Sequence, residues 1–76
     1  MMDVYIEPLP RGQWGPIDGY SLEFADGSRF TSDIFRSELL AISEVILRGY
    51  KPLLAKVRIT DKQATAHWKR PETANA

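Results

Sequence analysis

The chain has no cysteine and only one histidine, His67, among its 76 residues. Disulfides are therefore excluded, and a zinc site made of thiolates and imidazoles has too few ligands. An excess of one charge sign is also missing, since ten basic residues balance ten acidic ones. Nucleic-acid-binding domains usually carry a basic excess, because phosphate neutralisation dominates their affinity. Neutrality argues against that class while leaving room for a local patch. No apolar run reaches the length of a membrane span. Met1-Met2-Asp3 lacks the charged-then-apolar pattern of a signal peptide, so the cytoplasm is the expected compartment. The length suits one domain with one core. So small a core needs close packing or self-association to be stable.

What is present reads as an α+β domain. Asp3 to Glu7 alternates as a strand, with Val4 and Ile6 on one face and Tyr5 and Glu7 on the other. Pro8 and Pro10 end it, and a Pro/Gly-rich loop holding Trp14 follows to Gly19. Gly19 to Ala25 is a second strand, with Tyr20, Leu22 and Phe24 inward and Ser21 and Glu23 outward. Asp26-Gly27 predicts a two-residue type I′ hairpin turn into a short third strand, Ser28 to Thr31. Ser32 is the expected N-cap of a helix over 33–48, stopped by Gly49 and Pro52. Phe35, Leu39, Ile42 and Ile46 form its stripe at 3.6-residue spacing. Leu54 to Thr60 is the last strand, with Ala55, Val57 and Ile59 inward.

The order is β-β-β-α-β, a four-stranded mixed sheet with one helix packed on one face. Strand order 3-2-1-4 is preferred, placing the last strand parallel to the first. The expected core is Val4, Ile6, Leu22, Phe24, Phe30, Phe35, Leu39, Ile42, Ile46, Val57 and Ile59. The domain is expected over 1–68, with 69–76 a solvated tail.

Several segments carry a resemblance. V-Y-I-E-P at Val4 to Pro8, I-D-G-Y at Ile17 to Tyr20 and P-L-L-A-K-V-R at Pro52 to Arg58 are three. Asp61-Lys62 and His67-Trp68 complete the set. Together they resemble a group of short hypothetical proteobacterial proteins with no assigned function. The resemblance implies the fold and a bacterial origin, and it transfers no catalytic or binding residue.

Chemistry is sparse. His67 has Asp61 and Thr65 near it in sequence, but no serine or cysteine sits in an elbow or oxyanion context. R-G-Q-W-G-P precedes a strand rather than a helix, which is not the context of a phosphate loop. No enzyme, metal site or cofactor is expected. The outward carboxylates Glu7 and Glu23 are expected to pair with Lys56 and Arg58. A nucleic-acid surface is the second reading: Tyr5, Lys56 and Arg58 on the outer sheet face, with Lys69 and Arg70 after them. Trp14 is either an exposed anchor for a protein partner or a cap on the open end of the core, the cap being preferred. Leu40 and Leu47 lie seven residues apart on one flank of the helix, with Tyr50 beyond. They are a candidate contact surface for a protein partner or for a second copy in a homodimer. A non-catalytic domain acting through protein contacts is thus the leading expectation. A third reading is a phage- or mobile-element-encoded inhibitor that docks on a host complex.

Overall fold

A computed structural model describes residues 2–71. The chain forms β1 (Asp3–Leu9), β2 (Gly19–Glu23), α1 (Glu38–Leu47), β3 (Lys51–Ala55), a single 3-10 turn (Thr65–His67) and β4 (Trp68–Lys69). The four strands make one mixed sheet in the order β2-β1-β3-β4. β1 pairs antiparallel with β2 and parallel with β3, so the strand after the helix does return beside the first strand. β4 closes the sheet antiparallel to β3.

β1 and β2 follow their alternation. Val4, Ile6 and Leu22 are buried under α1, while Ser21, Glu23 and Glu7 are buried on the other face. The expected third strand is reduced to a single bridge, Glu23 to Arg29. Its turn also differs from the type I′ expectation. Phe24 N–H bonds Ser28 O and Gly27 N–H bonds Phe24 O, enclosing a three-residue loop. Only Gly27 has positive φ, at 89°, so Asp26 avoids the left-handed region that type I′ demands of it. Asp26 instead accepts from the Ser28 hydroxyl at 2.6 Å and its N–H at 2.9 Å. Those bonds, the hydroxyl first, hold its carboxyl below the ordinary carboxylate range. The stabilisation is present above that range and is lost as pH falls through the lowered value.

The helix starts five residues later than the sequence suggests. Phe35 exchanges backbone hydrogen bonds with Tyr20, both at 2.8 Å, and so belongs to the β2 edge. Gly19 lets that segment close in, because a Cβ there would lie 2.7 Å from Ile34 Cγ2. Ser37, not Ser32, is the N-cap, and its hydroxyl accepts from Leu40 N–H at 3.2 Å. At the other end, Tyr50 N–H bonds Val45 O and Gly49 N–H bonds Ile46 O. This is a Schellman motif, with Gly49 at φ 85° in the position glycine favours.

With Phe35 off the helix, the buried arc moves to Ala41, Ile42 and Val45. These pack on Val4, Ile6, Leu22 and Leu54. Leu39 and Ile46, expected in the core, are exposed. Ala41 lies against the sheet, where its small side chain allows the helix to sit close. Phe24, Phe30 and Tyr50 form a trio of edge-to-face contacts at the rim of the core, with centroids 4.8 to 5.8 Å apart.

β3 begins directly after the Schellman turn, three residues earlier than expected. Its buried residues are Pro52 and Leu54, and Val57 is exposed beyond its end, with Ile59 half-buried. Pro52 is tolerated in a strand because its backbone faces the β4 side, where Arg70 donates to its carbonyl. Lys69 lies in β4, Arg70 also pairs with Asp3, and Pro71 is buried, so the ordered chain continues past 68. The remainder of the expected tail, 72–76, lies outside the described residues.

The two serines give a direct test. Ser37→Ala should cost about 1 kcal/mol of stability in urea unfolding, the usual worth of an N-cap, while Ser32→Ala should cost a few tenths at most.

Candidate functional site

The sheet face away from α1 is not open. After β3 the chain crosses it, and Lys56 N–H bonds His67 O where the segment returns. Trp68 is buried there, edge-to-face on Tyr5 at 4.8 Å. Its indole N–H donates to Asp61 O at 3.0 Å. Asp61 N–H donates to His67 Nδ1 at 3.1 Å, which occupies that lone pair of the ring in a structural bond.

Beneath this cover lies a buried ion network. Lys62 reaches in to both Glu7 and Glu23, with Nζ 2.8 Å from Glu23 Oε1. Arg11, from the loop after β1, donates to Glu23 Oε1 at 2.9 Å. The Ser21 hydroxyl donates to Glu23 Oε2 at 2.8 Å, and Thr60 donates to Glu7. Two carboxylates thus meet two cations, and hydrogen bonds occupy their oxygens, which is the condition for burying charge at tolerable cost. The partners expected from sequence were Lys56 and Arg58. Lys56 is exposed, and Arg58 donates instead to the carbonyls of Gly15 and Pro16, fastening the Pro/Gly loop. An open, polar cleft of about 530 Å³ borders the network, lined by Arg11, Arg58, Thr60 and Lys62 among others. Most of its charged groups are committed to one another or to backbone, but Arg58 Nη1 is buried with no hydrogen-bond partner among the described residues.

This arrangement disperses the expected nucleic-acid residues. Tyr5 lies under Trp68 and beside the Lys62 ammonium at 5.9 Å, not on a free stacking platform. Arg70 is held by Asp3 Oδ1 at 2.7 Å and by Pro52 O. Lys56 and Lys69 are exposed, but no open sheet face joins them.

The apolar surface lies on the other side of the molecule. Around α1, at 100° per residue, Leu39, Leu40, Ser43, Ile46 and Leu47 fill an arc of roughly 120° opposite the buried residues. Leu47 is 82% exposed, Leu39 65%, Leu40 56% and Ile46 45%. Leu40 and Leu47 are where the sequence places them. Leu39 and Ile46 join them, assigned to the core only because Phe35 set the phase of the stripe. Tyr50 does not join them, being packed on Phe24 and Phe30. Trp14 is 79% exposed in its loop and does not cap the core, which the aromatic trio closes instead. Ser43 Oγ donates to Leu39 O at 2.9 Å, and Glu44 pairs with Arg48 along the flank.

Lys62, Arg11 and Thr60 escaped the sequence reading because loops carry no periodicity to assign their direction. The outward alternation of Glu7 and Glu23 was the one available signal that a counter-charge is required. No helix among the described residues is long and apolar enough to cross a membrane. Comparisons with protein-family models, with curated proteins and with solved structures find no match.

The network predicts a sharp asymmetry. Lys62→Met, which leaves buried Glu7 with no cation and Glu23 with Arg11 alone, should cost about 3–5 kcal/mol in urea unfolding. Adding Glu7→Gln and Glu23→Gln to that variant should recover most of the loss. A cost below 1 kcal/mol for Lys62→Met alone would show that the network does not hold the loops down.

Proposed function

We propose that this chain acts through protein contacts made by the outer face of α1. The observation that supports the reading is the exposure of four large aliphatic residues, Leu39, Leu40, Ile46 and Leu47, on one side of a capped helix. Single exposed leucines are ordinary, but a contiguous apolar face on a regular element marks an interaction site. The helix is fixed by its Ser37 cap, its Schellman turn and its buried arc, so the face is presented with little ordering entropy left to lose on binding. Val4, Ile6, Leu22 and Leu54 of the sheet are packed with α1, and Tyr5 and Trp68 pack on each other on the opposite face.

A photo-reactive phenylalanine derivative at position 40 tests this in cells of the source type. A discrete crosslinked species is expected from position 40 and none from the exposed loop position Gln63. Leu47→Glu should weaken the contact roughly tenfold or more, since a charge would enter a desolvated patch. Equal crosslinking from both positions, or none from position 40, would overturn the reading.

A further inference from the structure

We propose that the cleft beside Glu7 and Lys62 is a binding site for a small carboxylate, received by the guanidinium of Arg58. The site is separate from the α1 face, and neither reading depends on the other.

A guanidinium carries five N–H donors in one plane. Arg58 Nε donates to Gly15 O at 3.0 Å, and Nη2 donates to Pro16 O at 3.3 Å. That side edge of the group is spent on fastening the Pro/Gly loop. Nη1 is buried and meets no acceptor among the described residues. Desolvating a cationic donor without a partner is costly, and a buried polar atom left so calls for a water, an ion or a ligand. The edge that remains pairs Nη1 with the second Nη2 hydrogen. Two oxygens of one planar anion match that edge.

Charge decides which anion. Arg11 and Lys62, the other cations lining the cleft, already face Glu7 and Glu23. Arg58 makes no ion pair among the described residues, and its two carbonyl partners are neutral. Asp61 lines the same cleft, but it is exposed and screened by water, and its Oδ1 accepts from Gln63 N–H at 2.9 Å. One partly desolvated cation is left without counter-charge, which suits a monoanion. A phosphate dianion would bring a second negative charge to a cleft whose wall includes Glu7, with no further cation to meet it. The carboxylate has both the single charge and the planar fork. At about 530 Å³ the cleft lies within the usual range of small-molecule sites, so it has room for the rest of the ligand. Gln63 and Asp61 on its wall suit a ligand with further hydrogen-bonding groups.

Arginine side-chain NMR on the intact chain, at fixed ionic strength, tests the proposal with acetate as the probe. Acetate is expected to move the Arg58 Nε–H signal along a saturable curve with a dissociation constant on the order of 10 mM. The exposed Arg29 and Arg36 should stay unmoved. Inorganic phosphate should bind more weakly than acetate. Arg58→Lys keeps the charge but not the fork and should weaken acetate binding about tenfold. Gln63→Glu, at an exposed position on the cleft wall, should weaken it about threefold, and Gln63→Lys should strengthen it by a similar factor. The changes at 63 leave the Arg58 bonds to Gly15 and Pro16 untouched, so they decide the matter even where Arg58→Lys loosens the loop. Equal shifts at all three arginines, a shift that never saturates, indifference to the charge at position 63, or tighter binding of phosphate would overturn the proposal.

Discussion

The buried meeting of Lys62 with Glu7 and Glu23 constrains the rest of this structure. β1 and β2 put two carboxylates side by side on one face of the sheet, and the chain then buries them. Burial without counter-charge would cost several kcal/mol per ion. Lys62 and Arg11 supply that charge from two different loops. The loops are therefore held against the sheet by electrostatics where a larger protein would use a second apolar layer. Trp68 and Tyr5 fill the remaining space beside them.

Because one face is closed by charge and by the Tyr5–Trp68 pair, most of the apolar packing goes to the other. α1 needs only Ala41, Ile42 and Val45 to cover Val4, Ile6, Leu22 and Leu54. A ten-residue helix with so narrow a buried arc has no structural use for leucines on its far side. Their presence is the feature that the fold does not explain. The division of labour is spatial: the Glu7–Lys62–Glu23 network secures the loops on one side, and the exposed face of the helix is free on the other.

The strands and their faces were legible in the sequence, since Val4, Ile6 and Leu22 alternate cleanly with Glu7, Ser21 and Glu23. The strand order was legible too, because the strand after the helix has its best neighbour in the first strand. The helix start was not. Ser32 and Ser37 are both competent caps, and the choice between them is made by Phe35 pairing with Tyr20, a long-range contact that no local signal announces. That one error rotated the expected buried stripe and moved Leu39 and Ile46 from surface to core. Pro52 lies beyond the helix end, as expected, and also sits in β3, earlier than the strand expected from Leu54. Of the candidate site, the Leu40/Leu47 row was legible from spacing. Its second row, and the identity of the cations that neutralise Glu7 and Glu23, depended on tertiary placement.

The central claim is that the outer face of α1 carries the contact. Photo-crosslinking scanned along α1 and along the exposed loops tests it most directly. Products should arise from positions 39, 40, 46 and 47 and not from the loops. Products centred on the Asp26-Gly27 hairpin or on the Trp14 loop, with none from α1, would contradict the account.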